Sequence, residues 1–188
     1  QPASGRHAGV RARSGSAGDH PHRQLGLPPK SKLLGCLPLF HSFGSTVTLW
    51  FPVIEGLDLV TYPSPLETKR LAELISQHQI NLLLATPTFL RGYMRRIDPE
   101  QLKSLQLVVT GAEKLPNNLA SSFEEKFGIL PMEGYGLTET SPATNVNLPL
   151  ADQSPELPLI PSQRFGSVGP PLPGIAVRIT NPATDEST

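Results

Sequence analysis

The chain has 188 residues, enough for one domain with a real core, and its sixteen basic and sixteen acidic side chains cancel, which removes the electrostatic case for a nucleic-acid partner or an acidic membrane surface. A lone cysteine, Cys36, excludes an internal disulfide and a cysteine-rich metal cage, so a reducing, cytoplasmic setting is the expectation. The longest apolar run, VTLWFPVI, is broken by Pro52 and falls far short of the roughly 18 residues of a membrane span, and no apolar stretch backs the basic N-terminus as a secretory signal would need.

Residues 1–24 differ from the rest. They are rich in Arg, Gly, Ser and His, with Val10 the only apolar side chain beyond a few alanines, so they cannot bury enough surface to offset ordering. From Leu25 the pattern is globular. LLGCLPL (33–39) reads as a buried strand, FHSFG (40–44) as a turn, 45–54 as a buried helix closed by Gly56, and LDLVTY (57–62) as a strand. Ser64-Pro65-Leu66-Glu67 has the form of a helix start: a capping serine, proline at the first helical position, and glutamate three residues after the cap. Leu71, Leu74, Ile75 and His78 then share one helical face.

INLLLA (80–85) is apolar apart from Asn81, as in a strand covered on both faces. Thr86-Pro87 opens another helix, with Phe89, Leu90, Tyr93, Met94 and Ile97 on one stripe. LQLVV (105–109) is a strand; Leu115, Leu119, Phe123 and Phe127 recur every four residues in a helix that Gly128 stops; 129–133 gives one more strand. A proline-rich connection (148–173) leads to IAVRIT (175–180), whose alternation reads as the start of a second, more exposed sheet. The fold class is therefore α/β, a parallel sheet flanked by helices, organised as a tail (1–24), an α/β unit (25–147) and a connection with the start of a β-unit (148–188).

In parallel sheets ligands bind beyond the carboxyl ends of the strands. Three segments follow predicted strands there: FHSFG, TGAE (110–113) and GYGLTETSP (134–142). In the last, Gly134 and Gly136 allow close backbone approach, and Tyr135 offers a flat face to an aromatic base. Thr138, Thr140 and Ser141 bring hydroxyls, and Glu139 brings a carboxylate. A carboxylate beside phosphate is favourable only with a cation between them, and Mg²⁺ uses one or two carboxylates plus phosphate oxygens. The logic is nucleotide plus magnesium; a capped helix start fits the same residues. TGAE is equally an ordinary tight turn, and His41 between two aromatics is equally a satisfied structural histidine. There is no G-x-S-x-G elbow, Walker loop or G-x-G-x-x-G turn.

Taken in order, LPLFHSFG, YPSPLE, VVTGAEKLP, KFGILPMEGYGLTETSP and GSVGPPLPG resemble the adenylate-forming superfamily of acyl-CoA and acyl-carrier-protein synthetases. The FHSFG and GAEKLP wording is most similar to the bacterial acyl–acyl-carrier-protein synthetase / 2-acylglycerophosphoethanolamine acyltransferase branch. The resemblance implies activation of a carboxylate, expected to be a fatty acid, with ATP and Mg²⁺, giving an acyl-adenylate that a thiol of acyl carrier protein or CoA then attacks. It implies that Gly111, Ala112 and Glu113 border the adenine, that Tyr135 stacks on it, and that Thr138 contacts the α-phosphate. It further implies that Glu139 helps hold Mg²⁺, that His41 sits near the acyl and phosphate end, and that Gly134 and Gly136 shape the acyl-pocket wall. Thr138, Glu139 and His41 are the expected catalytic set.

SGSAGDHP (14–21) only faintly echoes the family's phosphate loop, and no Y-R-T-G-D motif is present. The expectation is a fragment of a larger enzyme, inactive alone, with 1–24 as a disordered or out-of-frame tail. The full-length protein would be cytoplasmic or sit on the cytoplasmic face of a membrane. The competing reading is a non-catalytic remnant that binds AMP weakly.

Overall fold

The computed structural model describes Leu27 and residues 30–147, 164–172 and 174–180. The expected tail (1–24), most of the proline-rich connection and the closing NPATDEST lie outside the described residues.

The chain builds a six-stranded sheet in the order β2-β1-β3-β4-β5-β6. The strands are β1 (Lys32–Gly35), β2 (Asp58–Thr61), β3 (Leu82–Ala85), β4 (Leu107–Thr110), β5 (Met132–Tyr135) and β6 (Asn145–Val146). Every pairing from β2 to β5 is parallel, and β6 alone runs antiparallel, Gly134 opposite Val146. The chain steps from β1 outward to β2, then crosses back to β3, so the strand order reverses between β1 and β3. Crevices at the carboxyl ends of such sheets form near this reversal.

The period-2 geometry of the strands divides the core in two. Leu34, Leu83 and Val108 face one side, where α3 (Thr68–His78), α4 (Pro87–Arg96) and α5 (Asn117–Phe127) supply Leu71, Ile75, Leu90, Tyr93 and Phe123. Leu33, Leu82, Leu84, Leu107 and Val109 face the other, against Phe43, Val47 and Phe51. Two covered faces explain why β3 and β4 are apolar at nearly every position.

Phe43, Val47 and Phe51 lie on one continuous helical run: α1 (Ser42–Ser45), a π-helical turn (Thr46–Trp50) and α2 (Phe51–Glu55), which Gly56 closes at φ 67°. The π register has a local cause. Pro52 has no N–H, and in an α-helix its ring would meet the carbonyl four residues back. In the wider turn Phe51 N–H instead reaches Thr46 O, five residues back.

Four expectations are corrected. Residues 42–44 of FHSFG are helical rather than turn, because the His41 ring caps the first turn: its Nδ1 accepts the Phe43 N–H at 3.2 Å. The run 45–54 is not buried throughout, since Trp50, Val53 and Ile54 are more than half exposed on one face. Helix α3 begins at Thr68, not Ser64, and its start has no side-chain cap; the Glu67 carboxylate that a capping box would use accepts the Tyr62 hydroxyl at 2.6 Å. Residues 175–179, expected as a strand, carry no strand pairing, while Thr180 makes a β-bridge.

Candidate functional site

Because β1, β3, β4 and β5 are parallel neighbours, the segments that leave them emerge side by side on one edge of the sheet. The first is FHSFG. His41 N–H bonds Pro38 O, Ser45 N–H bonds His41 O, and the ring caps Ser42–Ser45. With Nδ1 accepting from Phe43, a neutral His41 ring carries its proton on Nε2, which is left as a donor on an exposed side chain.

The second segment, 111–116, lies against the first. The Phe43 ring is flush on Gly111: a Cβ there would sit 3.1 Å from Phe43 Cζ. Gly111 N–H bonds Ala85 O, and Ala112 adopts φ +66°, a left-handed conformation that residues with a Cβ seldom take. Glu113 accepts the Thr88 hydroxyl at 2.8 Å. Leu115 N–H donates to Oε1 of Glu133, a buried carboxylate on β5.

The third segment is GYGLTETSP. Tyr135 ends β5 half exposed. Beyond it the chain folds back so tightly that a Cβ on Gly136 would lie 1.8 Å from Pro142 O. A 3₁₀ turn, Thr138–Thr140, follows, stapled by the Thr140 hydroxyl, which accepts Leu137 N–H and donates to Leu137 O. Here the third segment meets the first: Ser42 Oγ is 3.2 Å from Thr138 Oγ1. Glu139 is exposed and makes no hydrogen bond or ion pair among the described residues.

His41, Ser42, Gly111, Tyr135, Thr138 and Glu139 therefore stand at or beyond the strand ends on one edge of the sheet, tied by the Phe43–Gly111 and Ser42–Thr138 contacts. Of these, His41, Tyr135, Thr138 and Glu139 are exposed and Gly111 is buried. A cavity of about 280 Å³ lies beside this edge, between α5, β5 and the segment Phe165–Ser167, lined by Leu115, Met132, Glu133 and Asn147. The expected site residues do not line this cavity. Glu133 stands two residues before Tyr135, on the same face of β5. Neither it nor Ser42 or Thr88 stood out in the sequence. For Glu133 the available signal was an acid inside a strand otherwise facing a core; for the two hydroxyls there was none. The described residues contain no group of three or more His, Cys, Asp or Glu able to cage a metal. The exposed Glu139 carboxylate beside the Thr138 and Thr140 hydroxyls could supply an oxygen ligand to a cation.

The sequence model of the AMP-binding enzyme family matches residues 6–188. The chain belongs to the AMP-binding enzyme family. It is 30% identical over 159 residues to the long-chain-fatty-acid–CoA ligase of Bacillus subtilis, covering 82% of this chain and 26% of that protein. It is 29% identical over 161 residues to a probable 4-coumarate–CoA ligase of Dictyostelium discoideum, covering 82% and 27%. The fold matches ATP-bound MatB from Rhodopseudomonas palustris with a TM-score of 0.75 at 22% identity, over 89% of this chain and 31% of that one. The chain thus spans about a quarter of the length of the curated AMP-binding relatives it matches. The sheet and flanking helices are those of the family's fold, and no helix among the described residues is long and apolar enough to cross a membrane.

Proposed function

We propose that this chain is the nucleotide-side part of an acid–thiol ligase that activates a carboxylate as its acyl-adenylate. The observation that carries the reading is the placement of the Thr138 hydroxyl, the exposed Glu139 and the half-exposed Tyr135 on one strand-end surface with the capped Ser42 turn. In this reading Tyr135 and the Gly111–Glu113 backbone hold the adenine between them, with the Glu133 cavity beside the base. Thr138 directs its hydroxyl to the α-phosphate. Gly134 and Gly136 form the wall on the acyl side, and His41 Nε2–H faces the reacting end. Glu139 would hold Mg²⁺, which would supply neutralisation of charge on the phosphates.

A carboxylate oxygen of the substrate attacks the α-phosphorus, the bond to the β-phosphate oxygen breaks, and pyrophosphate departs with that electron pair. The chain's part is positioning, with donors placed in advance toward charge that develops on the α-phosphate. A thiolate then displaces AMP from the acyl carbon. The names of the relatives favour a fatty or aryl acid and CoA; the FHSFG and GAEKLP wording favours acyl carrier protein.

The second reading is a nucleotide-binding module without turnover, favoured by the exposure of Tyr135, Thr138 and Glu139. Titration calorimetry with AMP, followed by pyrophosphate release with ATP, Mg²⁺ and a long-chain fatty acid, separates them. We expect measurable AMP binding with turnover far below that of a full-length relative. Turnover equal to such a relative overturns the expected incompleteness, and absence of AMP binding overturns both readings.

A further inference from the structure

Segment 111–115 carries the backbone assigned to the base. Three bonds pin it. At its start Gly111 N–H bonds Ala85 O, and at its end Leu115 N–H bonds the Glu133 carboxylate. Between them Ala112 sits at φ +66°, and a left-handed residue with a Cβ persists only where its surroundings hold it. The remaining hold is a side-chain contact from another element: Thr88 Oγ1 donates to Glu113 Oε2 at 2.8 Å, across 25 residues. Thr88 stands in the first turn of α4, just after the capping Thr86, so the carboxyl end of β3 reaches over to the loop that leaves β4. Glu113 Oε1 has no partner among the described residues, so the bond fixes the direction of a carboxylate whose other oxygen stays free at the rim of the surface.

We propose that Thr88 is a positioning residue for nucleotide binding: its hydroxyl holds Glu113, and through Glu113 the strained Ala112 turn, in the conformation that receives the base. The inference rests on the nucleotide reading of this surface. Thr88 is exposed, so substitution there leaves no cavity or buried orphan.

The test is AMP affinity by titration calorimetry on the 188-residue chain for Thr88→Val, Thr88→Ser, Glu113→Ala and the Thr88→Val/Glu113→Ala pair. Valine keeps the shape and removes the donor. We expect Thr88→Val and Glu113→Ala each to weaken AMP about five- to tenfold, as loss of one hydrogen bond to a charged acceptor at the surface implies. Thr88→Ser should bind as the parent does, and the pair should be no weaker than either single variant, because the two act through one bond. Parent-like affinity in Thr88→Val, failure of serine to rescue, or losses that multiply in the pair each overturn the positioning role while leaving the nucleotide reading intact. A parent chain that binds no AMP overturns that reading and the positioning role with it.

Discussion

The hydroxyls of Ser42 and Thr138 lie 3.2 Å apart although 96 residues separate them in the chain. Ser42 opens the helical run after β1, and Thr138 opens the turn after β5. Their contact joins two segments of the proposed site and orients the Thr138 hydroxyl that the proposed reading assigns to phosphate. We therefore expect Ser42→Ala to weaken AMP about two- to fivefold, within the range for one neutral hydrogen bond. Its unfolding free energy should stay within about 0.5 kcal/mol of the parent, as for surface changes generally. Calorimetry and a urea melt read the two quantities.

Tyr135 is half exposed at the end of β5, so its ring is available to a planar ligand. Tyr135→Ala should cost about 1–3 kcal/mol of AMP binding, the usual value of one base–aromatic stack. Tyr135→Phe should keep most of it, since the face and not the phenol does the stacking. Equal losses in both variants would point to the hydroxyl instead.

A Cβ on Gly136 would meet Pro142 O at 1.8 Å and Ala143 Cα at 2.6 Å, both main-chain atoms that cannot rotate away. Gly136→Ala must therefore move the loop, at a cost of about 1–3 kcal/mol typical of overpacking. A lower urea midpoint together with lost AMP binding is the expected result, because the displaced residues include Thr138 and Glu139.

Burial pushes the Cys36 thiol up from 9.0 to about 12. At neutral pH the native thiol should resist thiolate-directed reagents and react only after unfolding. The raised folded value favours the neutral form in the native state. Its stabilisation is complete below the unfolded value of 9.0 and is lost progressively as pH climbs toward about 12. Tyr93, also raised, chiefly by burial and then by the Cys36 charge, changes stability in the same direction. Unfolding midpoints should fall over that alkaline window, and Cys36→Ala should flatten part of the fall.

Trp50, Val53 and Ile54 present an apolar face on the helical run after β1. Exposed apolar patches promote association. Ile54→Lys should leave the urea midpoint nearly unchanged and reduce concentration-dependent self-association in sedimentation; an unchanged sedimentation profile would show that this face is not the contact.

Much of this protein was determined locally, by the sequence itself. The apolar runs in 80–85 and 105–109, each interrupted by a single polar residue (Asn81, Gln106), pointed to strands covered on both faces, and they became β3 and β4 with cores on either side. Thr86-Pro87 capped α4 because a threonine hydroxyl and a proline ring act within one turn. The ordered motifs pointed to the AMP-binding family, to which the chain belongs. Other features were decided only when distant elements met. The apparent helix start at Ser64 failed because Tyr62 took the Glu67 carboxylate, and the turn at 42–44 became helix because a histidine ring replaced the usual capping residues. The Ser42–Thr138, Phe43–Gly111 and Thr88–Glu113 contacts follow from the order in which parallel strands pair. Caps and periodicity act over three or four residues, whereas strand order is set by burying whole apolar faces, a property of the assembled sheet that no short stretch contains.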